Sequence, residues 1–341
     1  MTRLCRSLFA FLALLPLLAS ADDLALRPDH PDVYVVVRGD TLWDISGRFL
    51  SKPWYWPKLW GVNPQIANPH LIYPGDRLRL VMTPDGPRLV RDGNGYGSGD
   101  LSPTVRSTPL DTAIPAIPLK HISAFLEEAV VLRSNKPGDF AYVAAAADEH
   151  IVVGGGDRVY GRQTSADTGQ MLDIYRIGHA YRDPESAEPL GFNALYIGRA
   201  SVQLPGDPAT LSVVKARREV LARDVLIPTD DRPLQASYMP HAPAGPLRGH
   251  IIDVVDGVSQ IGQHSVVVLS RGRNDGVELG HVLEVRQVPP PIDDPVTRQR
   301  LQPPSNPAGT VMVFRLFERV SYALVMSASR PMHLLDEVVT P

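Results

Sequence analysis

The sequence contains few side chains suited to covalent or metal chemistry. Cys5 is the single cysteine, and it lies in an N-terminal stretch that we expect to be removed on export. The mature chain would then have no thiolate nucleophile, disulfide or thiolate metal ligand. The ten histidines are scattered singly, without the His-x-His or His-Glu-x-x-His spacing that brings two imidazoles to one zinc ion. No Gly-x-Ser-x-Gly nucleophile motif is present. We therefore expect no catalytic residue, no cofactor and no metal site.

Two other motifs have features of enzyme sites. The run Gly154-Gly-Gly-Asp157 has the composition of a phosphate-binding loop, but Val159 stands where a third glycine is needed and no helix follows. This run is more typical of a turn between strands. Glu127 and Glu128 could include a glycosidase acid, yet no partner carboxylate can be identified, which favours a solvated helix face. The sequence therefore predicts a protein that is not an enzyme.

The first 21 residues have the features of an export signal. Arg3 and Arg6 give a positive start, Leu8–Leu18 an apolar core, and the small residues before Asp22 a cleavage site. A membrane anchor is the alternative, but a span needs roughly 20 apolar residues and this run has about half that number. We expect cleavage near Asp22, a periplasmic mature protein and no membrane span. Loss of both arginines would take the formal net charge from −3 to −5, which does not suggest nucleic acid as a partner.

Residues 32–82 show the order strand, helix, helix, strand. A β-branched run is followed by a polar turn, and Thr41 or Asp40 can then cap a helix in which Leu42, Ile45 and Phe49 share one face. The other expected elements are a second helix from Pro53 to Trp60, a loop that contains Asn68 to Ile72, and a strand from Arg77 to Val81.

The motifs of this unit resemble the LysM family over roughly 48 residues. The motifs are the opening strand from Tyr34, Gly39-Asp-Thr-Leu42 at the helix start, Asn63-Pro64, Asn68-Pro69, and Pro74-Gly75-Asp-Arg-Leu78. LysM domains bind glycans that contain N-acetylglucosamine, so the resemblance implies a small α+β domain that binds peptidoglycan. The segment Lys52–Pro57 departs from the ordinary family pattern, and this puts the shape of the groove in doubt.

Two loops, Gly39–Trp43 and Asn68–Ile72, are expected at one end of the unit. They can line a shallow groove with backbone N–H and C=O groups for acetamido and hydroxyl substituents. Each hydrogen bond nets only about 1 kcal/mol in water, so one domain should bind weakly and depend on a repeating polymer. The candidate glycan-binding residues are Gly39, Asp40, Thr41, Leu42, Trp43, Asn68, Pro69, His70, Leu71 and Ile72.

Several of these residues have an alternative structural role. Asp40 and Thr41 can cap the helix, and Leu42 and Ile72 can either wall the groove or pack in the core. The tryptophans of the chain all fall in this unit, and Trp43 beside the loop is the most suitable for sugar stacking, although large rings also build small cores.

Residues 83–118 are rich in Pro, Gly, Ser and Thr, which predicts a flexible linker. Beyond it, short apolar runs alternate with Gly, Asp, Asn and Pro, a pattern typical of small antiparallel barrels or sandwiches. These runs are Ile151–Val153, Leu195–Val202, Leu211–Val214, Val266–Leu269, Gly309–Phe314 and Tyr322–Met326, and Asn274-Asp275-Gly276 has the residues of a hairpin turn.

Two halves of this β-rich region are similar in sequence. Met171–Ile174 matches Val282–Val285, and Asp183-Pro184 matches Asp294-Pro295 at the same offset of 111 residues. We predict two related repeats, residues 119–231 and 248–341, joined by a Pro-rich linker at 232–247. The fold class is therefore multidomain, with a small α+β domain, a linker and a mostly β C-terminal region.

The whole arrangement resembles LysM proteins associated with the type IV pilus secretin, whose C-terminal region is similar to that of a flagellar accessory protein. The residues behind this resemblance are Trp54–Pro57, Asn68–Asp76 and Asp183–Gly191. It implies a non-catalytic protein whose LysM unit holds peptidoglycan while the β region contacts the outer-membrane secretin. The alternatives are a wall-remodelling enzyme with an unfamiliar site and a flagellar or general envelope scaffold.

Overall fold

The computed structural model describes residues 24–60, 72–84, 86–91, 114–118, 122, 125, 129–148, 152–229, 238–255 and 261–341. The expected signal peptide at 1–21, the loop residues Asn68 to Leu71, and Glu127 and Glu128 lie outside these ranges. Within the described ranges, no helix is both long and apolar enough to cross a membrane.

The N-terminal unit contains the two predicted helices on a small antiparallel sheet. Its elements are β1 (Val33–Val35), α1 (Leu42–Phe49), a 3-10 turn (Pro53–Tyr55), α2 (Trp56–Leu59), β2 (Arg77–Thr83) and β3 (Gly86–Arg91). β2 lies in the middle and pairs with both β1 and β3.

Strand β3 lies in a stretch that the sequence analysis assigned to the linker. Thr83 donates a hydroxyl hydrogen bond to the Gly86 carbonyl at 2.8 Å, which closes a tight hairpin at the end of β2. Leu89 in β3 is 5% exposed and belongs to the core of the unit. The folded unit therefore extends to Arg91, because one buried leucine and a hairpin register outweigh the polar composition around them.

Aromatic side chains fill the core of this unit. Trp56, Ile45 and Phe49 are fully buried, and Trp43 and Trp54 are 3% and 5% exposed with ring centroids 6.4 Å apart. These burials favour the core-packing role for the tryptophans over sugar stacking, since a stacking ring needs an accessible face.

The C-terminal region is almost entirely β-structure in two bodies. The first contains β4 (Val130–Leu132), β5 (Ala141–Ala146), β6 (Arg158–Arg162), β7 (Met171–Arg182), β8 (Pro189–Leu204), β9 (Ala209–Ala216) and β10 (Val225–Pro228). The second contains β11 (Arg248–Val254), β12 (Val266–Leu269), β13 (Val282–Gln287), β14 (Ile292–Asp293), β15 (Arg300–Leu301), β16 (Asn306–Leu316), β17 (Ser321–Ala328) and β18 (Glu337–Val339).

Strand pairing follows the same order in both bodies. In the first, β5, β6, β9, β8, β7 and β10 form a ring, with β4 added to the outer side of β8. In the second, β11, β12, β17, β16, β13 and β18 form a closed barrel. Each ring encloses its own apolar core, which is how a small antiparallel sheet removes its open edges.

Most of the predicted apolar runs lie within these strands, and two expectations differ. The run at Ile151–Val153 forms no strand in its described part, where Val153 makes an isolated bridge to Val220. The Asn274-Asp-Gly motif lies in a 3-10 turn between β12 and β13, which are not paired with each other. Such residues favour any turn that needs a left-handed position, whereas barrel closure decides which strands become neighbours.

The two barrels contact each other through the tip of the β7–β8 hairpin. The Tyr181 hydroxyl lies 3.1 Å from the Tyr322 hydroxyl, and burial raises the pKa of both phenols. Asp183 pairs with Arg271 of the second barrel at 2.8 Å. Asp183 is one of the residues behind the secretin-related resemblance, and in this structure it forms an ion pair between the two barrels.

The linker predicted at 232–247 is also partly packed. Tyr238 and Leu247 are 5% and 8% exposed, and the backbone of His241 bonds to Gly280 and Val282. This Pro-rich segment therefore runs as an extended chain that packs on the second barrel.

Two glycines occupy matched positions in the barrels, 111 residues apart. A Cβ at Gly198 would overlap the backbone carbonyl of Lys215, and a Cβ at Gly309 would overlap that of Ser327. Both contacts join equivalent strand pairs, β8 with β9 and β16 with β17. The close approach of these strands therefore requires glycine at both positions.

We expect Gly198→Ala and Gly309→Ala each to lower the free energy of unfolding by about 1–3 kcal/mol, as overpacking against backbone does. Gly154→Ala and Gly262→Ala are matched controls, since a Cβ there meets no atom within 4 Å. Chemical denaturation followed by far-ultraviolet circular dichroism measures the difference. Equal midpoints for all four variants would contradict the close-packing interpretation.

Candidate glycan-binding site

The loop from Val37 to Thr41 is held by the carboxylate of Asp40. Its Oδ2 accepts hydrogen bonds from the Tyr34 hydroxyl at 2.9 Å and the Val37 N–H at 2.8 Å. Burial, together with the contact to Asp40, raises the pKa of Tyr34. Gly39 has φ +100°, a left-handed backbone that favours glycine. Asp40 is only 9% exposed, so its side chain shapes the loop from within.

Thr41 is the N-cap of α1, one of the two caps that the sequence allowed. Its Oγ1 accepts the Asp44 N–H at 3.1 Å and donates to the Asp44 carboxylate at 2.7 Å. The Thr41 carbonyl accepts the Ile45 N–H at 3.1 Å. The capping role of Thr41 is therefore confirmed, and its side chain is 3% exposed.

The second loop is tied to the first through the turn at Tyr73–Asp76. The Gly75 N–H donates to the Val36 carbonyl at 2.8 Å, and the Val36 N–H donates to the Asp76 carbonyl at 2.9 Å. The Asp76 carboxylate accepts the Tyr73 N–H at 3.0 Å. These bonds fix Ile72, which directly precedes the turn, beside the start of α1.

Two backbone donors at the start of α1 are satisfied by a distant part of the chain. The Leu42 N–H donates to the Pro115 carbonyl at 3.0 Å, and the Trp43 N–H donates to the Ala116 carbonyl at 3.1 Å. On the other loop, the Ile72 carbonyl accepts the Ile114 N–H at 2.9 Å. We call residues Ile114–Ile117 the strap. It spans the two loops that the sequence predicted as the groove.

The strap lies within the predicted linker at 83–118, so that prediction is incomplete. Ile117 is 1% exposed, and Ile114 and Ala116 pack against the core cluster that includes the N-terminal unit. Apolar residues in a Pro-rich stretch can dock on a folded domain even where they cannot fold alone.

The structure brings together one part of the predicted site and leaves another part undescribed. Of the predicted site residues, Leu42, Trp43 and Ile72 bond to the strap, whereas Asn68–Leu71 lie outside the described residues. Leu42 and Ile72 are 4% and 5% exposed with the strap in place. The polar groups that the groove presents are therefore backbone N–H and C=O groups, and the side chains of Asp40 and Thr41 hold these groups in position.

One cluster of titratable residues on the second barrel was not predicted from the sequence. His241, Glu278 and His281 have ligand atoms within 4.8 Å of one another. However, His281 Nδ1 accepts the Glu278 N–H at 3.0 Å, and this bond leaves the proton of the neutral ring on Nε2. Burial lowers the pKa of His281. A metal at Nδ1 would take the lone pair that accepts this bond, and a metal at Nε2 would shift the ring proton to Nδ1. Either would break the bond, so we assign the cluster to the packing of the 238–247 segment.

The glycine run that resembles a phosphate-binding loop in composition forms a turn in the structure. Residues Gly154–Asp157 form a turn before β6, closed by the Asp157 carboxylate, which accepts the Gly154 N–H at 2.8 Å. The prediction of a turn between strands is confirmed.

Comparison with known proteins identifies the N-terminal unit. Residues 34–81 match the family described as LysM domain, so this chain carries a LysM domain followed by a mostly β region with barrel-like sheets. The uncharacterized protein YqbP of Bacillus subtilis (strain 168) is 38% identical over 60 residues, which is 15% of this chain and 27% of that protein. The chain thus spans about a quarter of the length of this relative.

One solved structure shows a very weak likeness to this chain. The flagellar hook junction protein FlgK from Burkholderia pseudomallei is 12% identical, with 78% of this chain and 58% of that chain covered and a TM-score of 0.09. A score this low carries no conclusion about the fold.

We expect Thr41→Ala to lower the stability of the LysM domain by about 1 kcal/mol, because the Asp44 N–H loses its acceptor. Thr41→Ser keeps the hydroxyl and is the matched control. All four tryptophans lie in this domain, so tryptophan fluorescence during denaturation of the full chain reports its unfolding separately from that of the barrels. Equal midpoints for the Ala and Ser variants would argue against the capping role.

Proposed function

We propose that this chain is a non-catalytic periplasmic protein that binds peptidoglycan glycan strands and anchors or aligns an envelope machine, the type IV pilus secretin ring. The LysM domain supports the glycan-binding part. The N-terminal sequence features of an export signal support the periplasmic location. The secretin partner is supported by the sequence resemblance described above.

One observation carries the glycan-binding proposal. The N–H groups of Leu42 and Trp43 donate to two successive carbonyl oxygens, those of Pro115 and Ala116, and the carbonyl of Ile72 accepts the N–H of Ile114. The acetamido group of N-acetylglucosamine carries one carbonyl oxygen and one N–H, the same pair that a peptide unit carries. A groove that accepts a peptide backbone in this way therefore has the chemistry to accept the acetamido groups of a glycan.

For the β region, we propose that the two barrels are tandem copies of one unit. The sequence offset, the shared order of strand pairing and the matched pair Gly198 and Gly309 support this. Together with the contact between Asp183 and Arg271, they favour a paired platform that presents one partner-binding surface while the LysM domain holds the wall.

A pair of variants at Leu42 tests the backbone chemistry of the groove. Leu42 is the first helical residue, where proline is tolerated, and Thr41 before it has the extended φ −121° and ψ 162° that a following proline requires. Leu42→Pro therefore removes the N–H and keeps the helix, whereas Leu42→Ala keeps the N–H and also shortens the side chain.

Because the Leu42 N–H also donates to the Pro115 carbonyl, both variants are compared in a chain that carries Ile114→Asp/Ile117→Asp, which weakens that contact. In this background we expect Leu42→Pro to bind purified sacculi roughly fivefold more weakly than Leu42→Ala, the effect of one hydrogen bond of about 1 kcal/mol. Co-sedimentation over a range of sacculus concentrations measures this ratio. Equal binding of the two variants would show that this N–H does not contact the glycan. A lytic band on embedded peptidoglycan from the wild-type chain would overturn the non-catalytic part of the proposal.

The partner is tested with purified secretin. A chain that lacks residues 32–91 should lose its binding to sacculi and keep its binding to the secretin ring. Full retention in the sacculus pellet would contradict the role of the LysM domain, and loss of binding to secretin would contradict the role of the barrels.

A further inference from the structure

The strap occupies the hydrogen-bonding groups that the proposed function assigns to glycan. It takes the N–H groups of Leu42 and Trp43 and the carbonyl of Ile72, with N···O distances of 2.9–3.1 Å. These bonds span both loops of the groove. A backbone N–H has one hydrogen, so a glycan oxygen cannot take the same place at full strength while the strap carbonyl is present.

The strap also covers the apolar part of the groove. Ile117 and Pro118 are buried, and Ile114 and Ala116 pack against a large apolar cluster that contains Leu42 and Ile72 and extends into the second barrel. Leu42 and Ile72 are only 4% and 5% exposed in the presence of the strap, so a sugar ring that packs on these two side chains requires the surrounding chain to move. The strap therefore matches the groove in both its polar and its apolar features.

We infer that the LysM groove has a second ligand, an extended apolar peptide, and that the strap is its intramolecular form and competes with glycan. This inference rests on the proposed glycan-binding function of the same groove. The strap is covalently attached, so its effective concentration is in the range of a tethered ligand, about millimolar. A weak peptide ligand can therefore close most of the grooves in the absence of glycan.

The competition has a defined quantitative consequence. Glycan binds only the open fraction of the protein, so the apparent dissociation constant equals the intrinsic constant divided by that fraction. A change that weakens the strap and leaves the residues of the groove unchanged should tighten glycan binding. A strap that merely stabilised the fold would have the opposite effect, because its loss would damage the site.

The first test weakens the strap in the full chain. In Ile114→Asp/Ile117→Asp the apolar contacts are replaced with charges, while all residues of the groove are unchanged. The matched control is Leu204→Asp/Val296→Asp, which adds the same two charges at side chains that are 66% and 87% exposed on the barrels. The probe is the tetramer of N-acetylglucosamine, which is uncharged, and calorimetry measures its affinity.

We expect the strap variant to bind the tetramer roughly three- to tenfold more tightly than the wild type or the control, as the open fraction rises toward one. Unchanged or weaker binding would overturn the inference. Amide hydrogen exchange at Ile45, inside α1, shows whether the domain remains folded in the variant.

The second test uses the wild-type chain and is independent of any variant. Addition of the tetramer should accelerate hydrogen exchange at the Ile114 amide, which leaves the Ile72 carbonyl, while the Leu42 and Trp43 amides stay protected by the glycan. If the tetramer binds and Ile114 keeps its protection, glycan and strap coexist and the inference is wrong.

A third measurement separates this inference from the proposed function. A blocked peptide of residues 114–118 should bind the strap variant and compete with the tetramer. If the tetramer binds but the peptide does not, the peptide-binding inference fails and the glycan-binding function stands. If the tetramer binds neither the wild type nor the strap variant, the glycan-binding function fails and the inference fails with it.

Discussion

The N-terminus of α1 imposes the constraint on which the site depends. The first N–H groups of any helix have no partner within it. In this chain the Thr41 hydroxyl and carbonyl take the third and fourth N–H groups, and the strap takes those of Leu42 and Trp43. Two donors are thus directed into a groove by the helix geometry itself. A ligand with suitably placed carbonyl oxygens can accept hydrogen bonds from these first N–H groups of the helix.

The surrounding side chains keep these donors in place. Asp40 joins the end of β1 to the start of the helix through Tyr34 and the Val37 N–H, and the turn at Gly75 brings Ile72 to the other side of the groove. Asp40 and Thr41, whose side chains the sequence suggested as sugar ligands, thus accept hydrogen bonds from backbone N–H groups and hold the loop in place. The proposed preference for amide-containing ligands would follow from the spacing of N–H and C=O groups, which the fold sets.

Local patterns predicted the LysM domain well because its elements are determined by neighbouring residues. The period of Leu42, Ile45 and Phe49 and the cap at Thr41 are local signals. The strap could not be predicted in this way, because its docking depends on contacts between Ile114 and Ile72 that are distant in sequence. Composition alone indicated a flexible linker there. Strand β3 was missed for a similar reason, since a single buried leucine carries little periodic signal.

In the β region, the sequence predicted the strands but left closed barrels and sandwiches as alternatives. The order of strands around a barrel depends on non-local pairing, and a turn motif such as Asn274-Asp-Gly does not identify the strands that pair. The cluster of His241 and His281 likewise forms only when the Pro-rich segment packs over β13. The contact of Asp183 with Arg271 links the two barrels across 88 residues of sequence.

The most direct test of the account is a crystal structure of the full chain with a short oligomer of N-acetylglucosamine. We expect oxygen atoms of the oligomer within hydrogen-bond distance of the Leu42 and Trp43 N–H groups, about 3 Å, and an acetamido N–H directed at the Ile72 carbonyl. An oligomer bound elsewhere on the chain, with these three backbone groups still bonded to residues 114–116, would contradict it.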